Sequence, residues 1–430
     1  MADLEPSQRP DGATTVSSVP GTAPRKESPF TPFKHAGYRL LWTIGLLSGS
    51  AFQMQQVVNR WLVYELTRDP VQLGLIGAFQ AVPLVVLSLF GGAMADKVDR
   101  RRLLIVTQAV RTSLALLLLL LAAVGHIQVW HIYLITLMTS SATVFEGPTR
   151  QAILPTMVPR STVTNALVLN ASTNQLTRSV GPAIAGLFLA VAAGPALAYG
   201  VNFVLFCLSW LTVWRLKVPH ITGDSTRRGV VSMMGQGLSF VRATPVILGL
   251  LLLDFCATFF SAYQSLLPVF AKEVLHVGPG GYGALEAAPS IGAFLGSLGV
   301  LFLFNGMERK GRAILTAVFL YGLAILSFSL SPVFGVSFLC LVVAGMLDQT
   351  AVTMRNSVLL LLTPTELRGR VESIRLIFIQ GGPTLGAVQA GFFTSLVGAP
   401  ITLAVQSGLV LAAAGIIRWR VPGIWKNTVR

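Results

Sequence analysis

The segment GAFQAVP (Gly77–Pro83) returns about 205 residues later as GALEAAP (Gly283–Pro289). Each match alone is weak in so apolar a chain, but several matches in the same order indicate an internal duplication. The sequence therefore predicts two structurally related halves. Two further pairs follow at a similar shift: PTRQAILPTMVP (148–159) with TMRNSVLLLLTP (353–364), and SVGPAIAG (179–186) with QGGPTLGA (380–387).

The composition places these halves in a membrane. Of the 430 residues, 53% are apolar and 11% are charged, whereas soluble domains carry about 25% charged residues. A membrane-spanning helix needs about 20 mainly apolar residues. The prediction is an all-α integral membrane protein, with twelve transmembrane helices in two pseudo-symmetric six-helix bundles. The predicted spans cover about 40–64, 70–94, 103–124, 129–149, 165–193, 195–215, 245–270, 281–304, 313–331, 333–356, 372–396 and 400–418.

The net charge of +15 has two interpretations. In a soluble protein it would suggest nucleic-acid binding. Here most basic residues fall in the N-terminal tail, in the loops after the even-numbered spans and at the C-terminus, which is the pattern of segments retained in the cytoplasm. We therefore expect a multi-pass protein of a prokaryotic plasma (inner) membrane with both termini cytoplasmic, a lipid bilayer as its surroundings and no nucleic-acid partner.

The longest polar stretch between spans divides the chain into two groups of six. Within it, about residues 230–241 are predicted to form a short amphipathic helix on the cytoplasmic surface. The predicted organisation is a disordered cytoplasmic tail (1–37), an N-terminal six-helix bundle (38–216), a cytoplasmic linker (217–243), a C-terminal six-helix bundle (244–418) and a cytoplasmic tail (419–430).

Several motifs resemble the major facilitator superfamily over about residues 38–420. The loop GGAMADKVDRRR (Gly91–Arg102) is similar to the superfamily signature after helix 2, with Asp99 where a glycine is usual. The runs FEGPTRQAILPTMVP (145–159), NQLTRSVGPAIAG (174–186) and ELRGRV (366–371) look like the enterobactin-exporter-like branch of transmembrane secretion effectors. The resemblance implies the major facilitator fold and efflux of drugs, siderophores or metabolites by alternating access.

Charges near the cytoplasmic ends of the spans form the first candidate site. Glu146 and Arg150 stand one turn apart on span 4, and Asp348 and Arg355 stand two turns apart on span 10. The resemblance implies a lock that closes the cytoplasmic side; simple topogenic charge, or a static Asp348–Arg355 salt bridge, is the alternative. The predicted gate comprises Asp96, Lys97, Arg100, Arg101, Glu146, Arg150, Asp348 and Arg355.

Ionisable groups inside the spans are the second candidate site, because each costs about 2.5–3.5 kcal/mol at a helix centre. Asp254 on span 7 and Glu286 on span 8 are predicted proton-coupling residues, with locked structural ion pairs as the alternative. Arg178 on span 5 is a substrate candidate, although a structural or gating role is favoured slightly over direct substrate contact. Gln53 and Gln56 are expected to face the cavity or to join helices by hydrogen bonds, and Gln80 is a further cavity candidate. Five residues are predicted helix kinks or hinges, or close-packing positions: Gly181, Pro182, Gly186, Gly382 and Pro383.

No motif supports an enzyme. The sequence has no GxxxxGK[ST] phosphate loop, so no nucleotide is expected, and it has no HExxH, CxxC or GxSxG element, so neither a metal nor a cofactor is expected. Pumping must then draw on an ion gradient or on the gradient of the substrate. We predict a secondary transporter that exports a small-molecule substrate in exchange for protons. A proton-linked importer and a non-transporting membrane sensor or scaffold are the alternatives.

Overall fold

The chain forms a bundle of long helices, since apolar stretches in lipid must satisfy their backbone hydrogen bonds internally. The computed structural model describes residues 28, 30–95, 99–191, 194–218, 230–303, 309–364 and 367–426. These residues contain no strand. The helices are α1 (Ala36–Thr67), α2 (Pro70–Ala95), α3 (Arg100–Ala123), α4 (Val129–Ile153), α5 (Val163–Leu189), α6 (Gly194–Arg215), α7 (Val230–Ala243), α8 (Pro245–Phe260), α9 (Tyr263–Val269), α10 (Pro279–Leu303), α11 (Lys310–Leu330), α12 (Phe334–Leu362), α13 (Arg368–Val397), α14 (Ala399–Arg420) and α15 (Pro422–Lys426).

The predicted spans correspond to α1 to α6, to α8 and α9 taken together, and to α10 to α14. Within the described ranges, eight of these segments are long and apolar enough to cross a membrane by length and composition. The other four, α1, α4, α5 and α13, are of similar length but richer in polar side chains. Most of the predicted gate, cavity and hinge residues lie on these four helices.

The two halves repeat the same helix pairing, which confirms the predicted pseudo-symmetry. In the first half, α1 packs on α5 and α6, α3 packs on α4 and α6, and α2 packs on α4. In the second half, α8 packs on α13 and α14, α11 packs on α12 and α14, and α10 packs on α12. Across the boundary, α2 packs on α13 and α5 packs on α10, so the second and fifth helices of each half form the seams.

We call the end of the bundle where α1 begins and α14 ends the terminal side, and the opposite end the far side. At the terminal side, Arg101 at the start of α3 donates a 2.9 Å hydrogen bond to the Trp214 carbonyl at the end of α6. At the far side, the Gly391 backbone near the end of α13 approaches the Pro70 carbonyl at the start of α2. Because most connections between consecutive spans are short, the chain turns back after each span, and these contacts fit spans that alternate in direction.

Ordered structure begins before the end of the tail that is predicted for residues 1–37. Residues 1–27 lie outside the described part of the chain, but Thr31–Lys34 form a 3-10 turn and α1 already begins at Ala36. Phe33 packs edge-on against Tyr38 and Trp42, with ring centroids 5.4 and 5.2 Å apart. These aromatic contacts anchor the turn to α1, so the ordered structure starts earlier than the apolar window does.

Two features of the second half bear on its function. The predicted linker helix is confirmed as α7, whose Gly237 lies against the Arg370 backbone near the start of α13. Span 7 is discontinuous: α8 ends at Phe260, α9 follows after two residues, and a π-helical turn at Phe270–Val274 completes the segment. Breaks of this kind free backbone groups and are frequent at the sites of membrane transporters.

The α10–α12 contact depends on glycine. A Cβ atom at Gly345 would overlap the Pro289 carbonyl, whereas a Cβ atom at Gly335 on the same helix would meet no heavy atom within 4 Å. We expect Gly345→Ala to lower stability by about 1–3 kcal/mol because the two backbones must separate. Thermal unfolding of the purified protein in detergent measures this loss. Gly335→Ala is the matched control, and equal melting temperatures for the two variants would contradict the close contact.

Candidate functional site

The halves approach each other most closely near the far side. A Cβ atom at Gly77 would stand 2.8 Å from the Ala387 Cβ, which joins α2 to α13. The Gly186 and Gly283 backbones are in contact, which joins α5 to α10. Both approaches lie within the far-side half of their helices. Gly186, predicted as a kink or packing residue, thus lies on an inter-half seam.

A group of charged and aromatic residues joins α1 to the second half at the far side. The Arg60 guanidinium pairs with the Glu286 carboxylate at 2.9 Å, and the Tyr282 hydroxyl lies 2.9 Å from the same carboxylate oxygen. The Tyr282 ring stacks on Trp61. We call this group the far-side clamp; it comprises Arg60, Trp61, Tyr64 and Glu65 of α1 with Lys272, Glu273, Tyr282 and Glu286 of the second half.

The remaining clamp contacts lie at the very end of α1. Lys272 in the π-helical turn pairs with Glu65 at 2.6 Å, and its ammonium stands 4.6 Å from the Trp61 ring centroid. Tyr64 donates a hydrogen bond to Glu273 of the same turn. Glu286, predicted as a proton-coupling residue, is therefore an ion-pair partner that bridges the halves, which is the alternative left open for it.

Glu146 is buried inside the first half rather than exposed at a gate. Its carboxylate pairs with Arg111 of α3 and accepts hydrogen bonds from Gln108 at 3.0 Å and from Ser48 at 3.2 Å. The Arg111 guanidinium lies between the Phe52 and Phe206 rings, 5.3 and 4.7 Å from their centroids. Glu146 pairs with Arg111 rather than with Arg150, which lies one turn away on the same helix, because α4 turns Glu146 towards α3.

Arg355 pairs with Asp254 rather than with Asp348. The Arg355 guanidinium of α12 lies 2.6 Å from the Asp254 carboxylate of α8, and both side chains are buried. A direct Asp348–Arg355 salt bridge is therefore wrong. The second oxygen of Asp254 has no hydrogen-bond partner in the described residues. Asp254, the other predicted proton-coupling residue, thus sits in an incompletely satisfied pair.

Asp348 and Arg178 face the space between the halves. Asp348 lies at the middle of α12 and Arg178 towards the middle of α5, yet both side chains are exposed. The carboxylate of Asp348 interacts electrostatically with Arg178 of the opposite half and with Asp254 and Arg355 of its own half. The Arg178 carbonyl accepts a 2.9 Å hydrogen bond from Ser290 of α10, which holds this part of α5 on the seam.

The other predicted gate residues do not form a lock in the described residues. Asp96 and Lys97 lie outside the described part of the chain. Arg100 donates to the Ala152 carbonyl at 3.4 Å, and Arg101 donates to Trp214, so both attach α3 to its own half. Arg150 donates to the Asn174 side chain of α5 at 3.3 Å, again within the first half.

The predicted cavity amides and the remaining kink residues pack within one half. Gln80 donates to Gln56 and so joins α2 to α1, which is the alternative predicted for Gln56. A Cβ atom at Gly181 would meet Gln53 of α1, and one at Gly382 would meet Thr258 of α8. Pro182 and Pro383 lie inside α5 and α13, which continue through them. The described residues contain no cluster of side chains able to hold a metal ion.

The sequence prediction gave no role to Arg111, Lys272 or Glu273. The sequence alone could have identified Arg111 as an ion-pair candidate, because it is the one charge in the interior of span 3. Such a group needs a partner inside the membrane. Lys272 and Glu273 follow the apolar window of span 7 and look like ordinary loop charges in sequence. Only the packing of that segment against the end of α1 reveals their contacts.

Comparison with known proteins identifies the type of molecule. The family model described as "Transmembrane secretion effector" matches residues 27–428. The chain is 27% identical to the staphyloferrin A transporter of Staphylococcus aureus, over 82% of this chain and 88% of that protein. It is 24% identical to the multidrug efflux pump Tap of Mycolicibacterium fortuitum (91% and 97% covered) and 24% identical to the enterobactin exporter EntS of Escherichia coli O1:K1 (89% and 91%).

Solved structures agree on the fold. A bacterial homolog of the human lysosomal transporter Spinster, crystallised in an inward-facing and unoccupied conformation, superimposes with a TM-score of 0.74 at 14% identity, covering 92% of this chain and 98% of that one. The predicted all-α major facilitator fold is therefore confirmed, and eight helices of the described residues are long and apolar enough to span a membrane.

The buried Glu146–Arg111 pair should be essential to the stability of the first half. Removing one partner of a buried ion pair leaves an uncompensated charge and costs about 3–5 kcal/mol. We expect Glu146→Leu to lose most folded protein in detergent, measured by size-exclusion chromatography and thermal unfolding. The double variant Glu146→Leu/Arg111→Leu should recover much of the loss. A double variant as unstable as the single one would contradict the pairing.

Proposed function

Because the chain belongs to the transmembrane secretion effector family, whose members are membrane transporters and not enzymes, we propose that it is a proton-coupled exporter of small amphipathic compounds. The proposed place of work is a prokaryotic inner membrane, with the terminal side and both termini in the cytoplasm. The basic residues of the terminal side support this orientation.

One observation carries the mechanism: the halves are joined at the far side while charged side chains at mid-bundle remain exposed between them. The far-side clamp and the glycine contacts close one end. Arg178 and Asp348 lie at the helix centres and are accessible. Such a space reaches the middle of the bundle from the terminal side, as alternating access requires of one of its two states.

The relatives support the direction and the substrate class. Of the three relatives, EntS is named as an exporter and Tap as an efflux pump. EntS and the staphyloferrin A transporter are named for siderophores. We propose that the substrate enters from the cytoplasmic side, contacts Arg178 between the halves, and leaves when the clamp opens. Inward movement of protons would provide the free energy, because the sequence contains no nucleotide-binding phosphate loop.

Flux in proteoliposomes tests the proposed function. The full chain is reconstituted with enterobactin, staphyloferrin A or ethidium as probe, and a pH gradient is imposed. We expect at least one probe to move against the proton flow and to stop when the gradient is collapsed by an ionophore. Movement of the probe with the proton flow would favour an importer. Binding of a probe without flux under any gradient would favour a sensor.

A disulfide across the far side should arrest transport. The Cβ positions at 77 and 387 are 2.8 Å apart, so Gly77→Cys/Ala387→Cys needs only a small adjustment to reach disulfide geometry. In a background lacking Cys207, Cys256 and Cys340, oxidation should abolish probe flux and reduction should restore it. Gly37→Cys/Met157→Cys, whose Cβ positions are 3.9 Å apart within one half, is the matched control and should stay active. Full flux in the oxidised far-side variant would exclude opening of this seam.

A further inference from the structure

Four carboxylates lie inside the described spans away from the helix ends, and three of them have an arginine partner. Glu146 pairs with Arg111, Asp254 with Arg355, and Glu286 with Arg60. Asp348 makes no ion pair within 4 Å in the described part of the chain. An intramembrane carboxylate without a bonded cation keeps its charge at low cost only while water or a nearby cation solvates it, and binding of a proton removes the cost when they are lost.

The surroundings of Asp348 contain charges of both signs. Its own half contributes the Asp254–Arg355 pair, and the opposite half contributes Arg178. The phenol groups of Tyr321 on α11 and Tyr263 on α9 also interact with it electrostatically. A carboxylate beside a second carboxylate and a hydroxyl-lined wall depends on its cations for stability in the ionised state.

The two cations differ in one respect that matters for coupling. Arg355 belongs to the same half as Asp348 and is already bound to Asp254. Arg178 belongs to the other half, and its backbone is attached to the seam through Ser290. Ser290 lies in the same half as Asp348, so a movement of the halves that breaks the Ser290 hydrogen bond also separates Arg178 from Asp348, while the Arg355–Asp254 pair moves as a unit.

We propose that Asp348 is the carboxylate that takes up and releases the coupling proton, and that Arg178 makes this step depend on the position of the halves. The inference rests on the proposed function and assigns the proton to a residue expected only at a gate. When Arg178 is close, the ionised form of Asp348 is stabilised and its proton leaves to water in the open cavity. When the halves rock and Arg178 moves away, the carboxylate binds a proton from the other compartment.

Asp348→Asn tests the assignment directly. In proteoliposomes containing a probe that the unaltered protein moves, we expect the variant to lose at least ten-fold of its pH-driven flux. Counterflow, in which unlabelled probe exchanges for labelled probe without a gradient, should stay within about two-fold. Glu372→Gln, which removes the exposed carboxylate paired with Arg375 on α13, is the control and should keep both activities. Full pH-driven flux in Asp348→Asn would overturn the proposal.

A readout that needs no substrate separates this proposal from the proposed function. Infrared difference spectra of the purified full chain between acidic and alkaline pH should contain a carboxylic-acid carbonyl band from all protonated carboxyl groups, and Asp348→Asn should remove one component of it that Glu372→Gln keeps. Arg178→Gln should move the midpoint of that component to higher pH by about 0.5 unit or more, and Arg178→Lys should move it less. A band in Asp348→Asn that equals that of the unaltered protein would overturn the proposal even if transport is observed, and loss of the component supports it even if no probe moves.

If Asp348→Asn fails to fold, Asp348→Glu provides the second variant. It keeps the acid, so its carbonyl band should persist with a shifted frequency. An unchanged band in Asp348→Glu would show that the proton sits elsewhere and would overturn the proposal.

Discussion

The structure depends on one constraint: a charge inside a membrane must be compensated by a specific partner. Three arginine–carboxylate pairs meet this constraint, and each joins a different pair of helices. Arg111–Glu146 joins α3 to α4, Arg355–Asp254 joins α12 to α8, and Arg60–Glu286 joins α1 to α10. The first two pairs hold each half together as a rigid unit. The third crosses between the halves, so it is the one that a movement of the halves must break.

The duplication preserved the scaffold but not its charges. Arg150 and Arg355 occupy equivalent positions in the repeat. Each contacts the first helix of its half, Arg150 at Gly45 of α1 and Arg355 at Asp254 of α8. Among the described residues of the first half, Arg150 has no ion-pair partner, and the nearby Glu146 pairs with Arg111 instead. In the second half the equivalent arginine has its acid, and a further acid, Asp348, lies beside the pair. Equivalent helix packing in the two halves therefore holds different sets of charges, so the halves can differ in function.

The sequence predicts well what depends on order along the chain. Hydrophobic windows and Gly/Pro breaks predicted the long helices, and the repeat predicted two structurally related halves. The partners of the buried charges escaped prediction. Helical spacing says that Glu146 and Arg150 share a face, but the rotation of α4 decides which neighbour Glu146 meets. For the same reason helical spacing offers Asp348, two turns away on its own helix, as one possible partner of Arg355, whereas α8 brings Asp254 within 2.6 Å.

The far-side clamp suits a contact that must form and break repeatedly. Ion pairs near a protein–water boundary contribute little net free energy, because water solvates the separated charges almost as well as the partners do. Lys272 and Glu65 are of this kind, since the Glu65 side chain is 45% exposed while paired. Arg60 precedes Glu65 by more than one helical turn on α1, and its partner Glu286 is almost fully buried, so the two charges separate at low cost only once water enters between α1 and α10. The Lys272–Glu65 pair can therefore separate first and let in the water that separation of Arg60 from Glu286 requires. The clamp then opens from the surface towards the centre of the bundle.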